Sequence, residues 1–373
     1  MQVMSEAARA TVAELIAQSR GLPYGPGRVA VLEEAVRHAD RHADVPAGYD
    51  ARMELLDAAV MGGRGDLLVA HYPWCLAQFD RDPARFDEFQ LLWRFKWVIW
   101  RAIAFPEITL PQIHGLFDEM TTRFRRFGAG ERVLAKYRLS LAMHVGDTAA
   151  AAESFDEFLR QPRDSLSNCP ACEADTIVDY HNWRGEHERA VDAAKNVVNG
   201  RLSCRLVPES TYATLLDSLF RLGDDERAVV THRNGLRLSA RSGDLGNLTK
   251  HVYFLAVTDN LSAAVRLFER FLPAAAHGYE PRPRFDFLLA GRFLCDRLMR
   301  SEWSRGVRVP PELVTGSRKT TSDVPALRAW LDAESRRAAK RFDDRNGTPR
   351  FADQIAGQDE LHAVVRPVPV ARD

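Results

Sequence analysis

Three residues of one type carry the most specific chemistry in this chain: Cys169, Cys172 and Cys204. The run Cys169-Pro170-Ala171-Cys172 spaces two thiols by one helical turn, and Ser167 or Asn168 is placed to cap the helix that follows. Thiolates at a helix start are favoured by the helix dipole and bind soft metals or exchange disulfides. Three thiolates with one further ligand suit zinc, and His232, His181 and Asp175 are the candidates for that fourth place. Three readings stay open: ordinary buried thiols, a structural zinc, or a redox pair. The redox reading lacks the strand that normally precedes such a motif, and the zinc reading lacks a second close pair. No other chemical constellation is legible. The eleven His are scattered, and no HExxH, GxSxG or Walker loop is present. Gly25-Pro26-Gly27 has no strand before it, and Arg64-Gly65-Asp66 reads as a turn. No catalytic residue is assigned.

The composition narrows the partners. In 373 residues, 51 Lys and Arg balance 51 Asp and Glu, so the basic excess of a nucleic-acid binder is missing. With 46% apolar and 27% charged residues, a folded core is expected over most of the length. The most apolar stretch, Leu91 to Phe105, carries Arg94, Lys96 and Arg101 and is too short to span a bilayer. The first twenty residues do not read as a signal peptide. The expectation is a cytoplasmic protein with no membrane segment and no direct nucleic-acid contact.

The elements that must position the thiols are helices. Apolar residues recur at three- and four-residue spacing from 5–19 through 323–344, and β alternation is almost absent. The helix over 83–104 holds Phe86, Phe89, Trp93, Phe95, Trp97 and Trp100, with Asp82 as its expected cap. Only Asp87, Gln90, Arg94 and Arg101 form a polar stripe, so it should be sandwiched between neighbours. A repeat then emerges. Gly146-Asp147, Gly185-Glu186, Gly223-Asp224 and Asp259-Asn260 are each followed, five residues after the first turn residue, by Ala151, Ala190, Ala228 and Ala264. Those alanines are 39, 38 and 36 residues apart. An earlier copy reads Gly65-Asp66, Ala70, Trp74, Ala77. In such a helical hairpin the end of the second helix returns to the start of the first, so the loop carrying Cys204 should come beside Cys169 and Cys172.

This layout resembles the tetratricopeptide repeat, in degenerate bacterial form, well over 131–275 and less closely over 48–83. The period exceeds the family's roughly 34 residues, and Val178, Leu216 and Val252 stand where the family has a small residue. The resemblance implies an all-α solenoid of antiparallel helical hairpins. The expected organisation is an N-terminal helical region over 1–130 with one hairpin, a repeat array over 131–300, and a connection and capping helix over 301–345. Residues 346–373 are expected to be a disordered tail, because they are Pro-rich and aperiodic.

In that family the first helix of each hairpin lines a concave groove. By position this gives Lys136, Ser140, Asp175, Asp179, Trp183, Asp217, Arg221 and Tyr253, a set suited to an extended peptide bearing Lys or Arg. The resemblance therefore implies a cytoplasmic adaptor or regulatory scaffold for a protein or peptide. The texture also resembles the helical accessory domains of bacterial transcriptional regulators. The rival reading is a zinc- or thiol-dependent enzyme at Cys169, Cys172 and Cys204.

Overall fold

The computed structural model describes residues 6–310, Leu313 and 321–370. The protein is all-α, built as stacked helical hairpins, with one two-residue strand pair, β1 (Val307–Arg308) against β2 (Thr321–Ser322), among the described residues. It divides into two compact units.

The first unit holds α1 (Glu6–Arg20), α2 (Pro26–Arg41), α3 (Val45–Met61), α4 (Gly65–Arg81), α5 (Glu88–Ile103) and α6 (Leu110–Phe127), together with residues 131–141 and 156–167. Each helix from α1 to α6 packs on the next. The sandwiched helix α5 starts later than its sequence suggests. Asp87, not Asp82, is its N-cap and accepts the Gln90 amide at 3.1 Å. Phe95 is fully buried, and the buried Lys96 ammonium is satisfied by the Leu166 carbonyl (2.8 Å) and the Trp93 ring (3.1 Å). Buried Arg94 donates to Asp57 at 2.8 Å and to the Met53 carbonyl, so the polar stripe ties α5 to α3.

The second unit holds residues 142–155 and 168–370 of the described chain. The unit boundary thus falls inside α7 (Glu131–Val145) and again inside α8 (Thr148–Arg160). Beyond it run α9 (Pro170–Trp183), α10 (His187–Ala193), α11 (Lys195–Val198), α12 (Glu209–Arg221), α13 (Asp225–Ser242), α14 (Leu245–Val257), α15 (Leu261–Ala276) and α16 (Pro281–Met299). The first helices α9, α12, α14 and α16 stack one on the next, and each of α9, α12 and α14 also pairs with its own second helix.

The turns explain this repetition. Gly146, Gly185 and Gly223 adopt φ of 86°, 72° and 72°, the left-handed region that glycine enters without strain. Asp259 takes the same place with φ 62°. Five residues on, Ala151, Ala190, Ala228 and Ala264 are all fully buried. The earlier copy has a different register. Its left-handed residue is Gly63 (φ 67°), so the equivalent buried position is Leu68, and Ala70 and Ala77 face solvent. A further copy stands before it: Ala43 (φ 52°), the capping Asp44, and buried Gly48.

After the connection comes α17 (Val324–Asn346), packed on α16. Of the tail expected to be disordered over 346–373, residues 371–373 lie outside the described residues, and 346–370 are not disordered. They form α18 (Arg350–Ala356), α19 (Gln358–Leu361), a 3-10 turn over 362–364 and an extended run to 370. Phe351 and Ile355 are buried in a cluster with Phe285, Leu289, Ala339 and Phe342. The expectation failed because α18 is only two turns long and the extended run has no helical period to read.

Candidate functional site

Two places in the second unit bring chemistry together. The first is the thiol cluster. Cys169 itself caps α9, its Sγ accepting the Cys172 amide at 3.4 Å, so neither Ser167 nor Asn168 performs that role. Cys204 lies in the loop between α11 and α12, where its amide donates to the Val207 carbonyl at 2.8 Å. The three Sγ atoms lie within 4.8 Å of one another, and Cys172 and Cys204 approach to 3.5 Å. The trio could hold a metal ion. Its floor is a small apolar cluster of Ala171, Val197 and Val207. Burial pushes the Cys169 thiol up, but donation from the Cys172 amide, then from the Cys172 and Cys204 thiols, outweighs it and leaves Cys169 below its ordinary value. Burial, and then the neighbouring Cys204 and Cys169, hold Cys172 well above it. The arrangement therefore has one thiolate-prone member at the helix start.

None of the three expected fourth ligands joins the cluster. His232 is buried in α13 and shares a 3.0 Å Nδ1···Nδ1 hydrogen bond with His251, itself fully buried on α14. Burial pushes His232 down to about 4, so it is neutral at physiological pH. His181 Nδ1 meets Glu186 at 2.8 Å. Asp175 accepts from Thr211 at 2.5 Å and Ser210 at 2.9 Å. Cys75 and Cys295 sit alone in helix interiors, fully buried, with burial raising both thiols.

The second place is the face of the first helices. Asp175 and Asp179 do not project freely from it. Asp179 accepts from Thr214 at 2.8 Å, Asn182 from Ser218 at 2.7 Å, and Lys250 donates to Thr214 at 2.6 Å. These bonds form a polar ladder running α9, α12, α14, so the aspartates staple successive hairpins. Burial, and then the Asp179 charge, push Asp175 up to about 6 despite the two hydroxyl donors. Asp217 and Arg221 pair with each other at 3.0 Å across one helical turn and stay exposed. Lys136 belongs to the first unit, where its ammonium lies 5.0 Å from the Tyr137 ring and its carbonyl accepts from Ser140.

Trp183 and Tyr253 are met by the chain's own C-terminal segment. The Arg350 guanidinium stands 5.7 Å from the Trp183 ring. Gln358 donates to the Tyr253 hydroxyl and to the Leu289 carbonyl, both at 2.6 Å, and accepts from Arg292 at 2.6 Å. A cavity of about 430 Å³ lies among Lys250, Tyr253, Arg282, Asp286, Gln354 and Gln358.

Beyond α19, residues 365–370 lie extended across the ends of α12 to α15. The Arg366 amide donates to the Val257 carbonyl and the Val368 amide to the Thr258 carbonyl, each at 3.1 Å. The Asn260 side chain donates to the Val368 carbonyl at 2.8 Å and accepts the Val370 amide. Arg366 forms a two-pronged pair with Asp225 (2.5 and 2.6 Å), donates to the Phe220 carbonyl at 2.8 Å and covers the Phe220 ring at 4.4 Å. Arg233 donates to the Val370 carbonyl at 2.6 Å. Asp225, Arg233, Asn260 and Arg366 are the site residues that the sequence reading missed. The signal was there in Val365-Arg366-Pro367-Val368-Pro369-Val370, whose alternate prolines hold an extended backbone ready to dock.

No protein-family model matches the chain, and no curated protein matches it. A solved structure described as a circular tandem repeat protein with novel repeat topology and enhanced subunit contact surfaces aligns over 96% of this chain and 94% of its own, at 14% identity. Its TM-score is 0.17, too low to carry an argument about fold or function. No helix among the described residues is long and apolar enough to cross a membrane.

Proposed function

We propose that this protein is an adaptor or regulatory scaffold of tetratricopeptide-like hairpins that recognises a peptide or a protein segment on its second unit. One observation carries the reading: the array already holds a peptide in cis. Residues 365–370 are gripped through their backbone by Val257, Thr258 and Asn260, and through one arginine by Asp225 and the Phe220 ring. Backbone bonds supply affinity and the side-chain clamp supplies selectivity, which is how extended peptides are generally read. The sequence predicts an acidic surface for an Arg-bearing peptide. The acid that meets the arginine is Asp225, at the start of a second helix, rather than Asp175, Asp179 or Asp217. The partner under this reading is a proline-containing segment with an arginine at the clamped position, and neither a nucleic acid nor a membrane.

The proposed location is the cytoplasm. The rival is a zinc- or thiol-dependent enzyme at Cys169, Cys172 and Cys204, three thiols close enough to share a metal ion. A peptide array tests the proposal. Variants of residues 362–370 are displayed and probed with the full chain carrying Arg366→Ala, which loosens its own segment. Retention should require arginine at the fifth displayed position and fail with aspartate there. Retention indifferent to that residue would reject the reading.

A further inference from the structure

We propose that Cys169, Cys172 and Cys204 form a site for one soft divalent cation of the zinc class, bound by three thiolates with the fourth position open to water or an incoming ligand. The inference is independent of the peptide reading above.

The geometry is the first argument. A tetrahedral ion with metal–sulfur bonds near 2.3 Å places its sulfurs about 3.8 Å apart. Cys172 and Cys204 are already at 3.5 Å, and all three sulfurs fall within 4.8 Å. Side-chain adjustments of about 1 Å or less bring the trio to that spacing. The second argument is its assembly from two segments. Cys169 and Cys172 sit one turn apart at the start of α9, and Cys204 reaches them from a loop more than thirty residues on. Plain packing needs no such convergence. Cys75 and Cys295 show what packing alone looks like here: single thiols, fully buried inside helices.

Exposure and charge are the third argument. The three cysteines are half-buried, so an ion can reach them, while the apolar floor of Ala171, Val197 and Val207 shields one side. Binding replaces three S–H protons by one divalent ion. The protons go to solvent, no electron is transferred, and the product carries one negative charge. The N-terminal end of the α9 dipole offsets part of that charge. The fourth coordination place is left to water or an incoming ligand because, among the described residues, no His, Asp or Glu is grouped with the three thiols. The ion would pin the loop over 199–208 to the start of α9. Softness of the ligands selects zinc-class ions over magnesium or calcium.

The test uses the full chain, stripped of metal and kept reduced with a phosphine, titrated with cobalt(II) alone and then zinc(II) alone. The expected result is saturation at one cobalt per chain, a sulfur-to-cobalt charge-transfer band, displacement of cobalt by zinc, and release of protons on binding. Cys204→Ser should weaken binding by more than the roughly 10- to 100-fold that loss of an outer-shell partner costs. Cys295→Ser should leave it unchanged. Far-ultraviolet circular dichroism of Cys204→Ser separates a lost ligand from a lost fold, and the wild-type stoichiometry and band decide the matter without any variant. Absence of saturable binding overturns the proposal, as does a site that survives Cys204→Ser intact. Ready formation of a Cys172–Cys204 disulfide in a chain that binds no cobalt would overturn it in favour of thiol redox chemistry.

Discussion

Replacing Arg366 with alanine should release the extended segment from the array. The loss can be worked from its contacts. The pair with Asp225 is more than a third exposed on both sides, so solvent screening holds it to about 0.5–1 kcal/mol. The donation to the Phe220 carbonyl adds about 1 kcal/mol and the contact with the Phe220 ring about 0.5–1 kcal/mol. The sum, about 2–3 kcal/mol, shifts the docked–undocked balance of residues 365–370 by roughly 30- to 150-fold. The assay is amide hydrogen exchange. The Arg366 and Val368 amides, which donate to Val257 and Thr258, should lose protection by that factor. The Ala228 amide, inside the array, should keep it. Unchanged exchange at Val368 would refute the assignment of Arg366 as the clamp.

Three other outcomes follow from the same structure. Ala190→Leu and Ala228→Leu should each cost about 1–3 kcal/mol by overpacking buried helix crossings, whereas Ala70→Leu, at an exposed site, should stay within about 0.5 kcal/mol in urea unfolding. Leu68→Ala should cost about 2–5 kcal/mol, since that side chain fills the equivalent position. Because Asp175 is raised to about 6, above its unfolded value, the folded chain holds this proton between about pH 4 and 6. Its contribution to stability is fully present below about pH 4 and is lost as pH rises through 6. Asp175→Asn should therefore flatten the melting temperature against pH across that window.

The repeat was legible where chemistry forces one residue. A left-handed turn asks for glycine, and a close helix crossing five residues later asks for alanine, so Gly185 with Ala190 and Gly223 with Ala228 could be read directly. At residues 63–70 two glycines compete, and only the backbone shows that Gly63 makes the turn. The copy at 43–48 was hidden because an alanine occupies the left-handed position. Spacing within the thiol run was readable, but the fate of His232 was not. A histidine on an apolar helix face gives no sign of whether it points to a metal or to a partner such as His251. The C-terminal segment was misread for a related reason. Its order comes from bonds to Val257, Thr258 and Asn260, about 110 residues away, and not from any pattern of its own.

The most direct test of peptide recognition is a titration of a labelled peptide of residues 362–370 into three full-length chains: wild type, Arg366→Ala, and Arg366→Ala combined with Asp225→Ala. The tethered segment competes at an effective concentration in the millimolar range. Saturable binding to the Arg366→Ala chain is predicted, with much weaker binding to the wild type and loss of binding in the double variant. No binding to the Arg366→Ala chain, or equal binding to all three, would contradict the account.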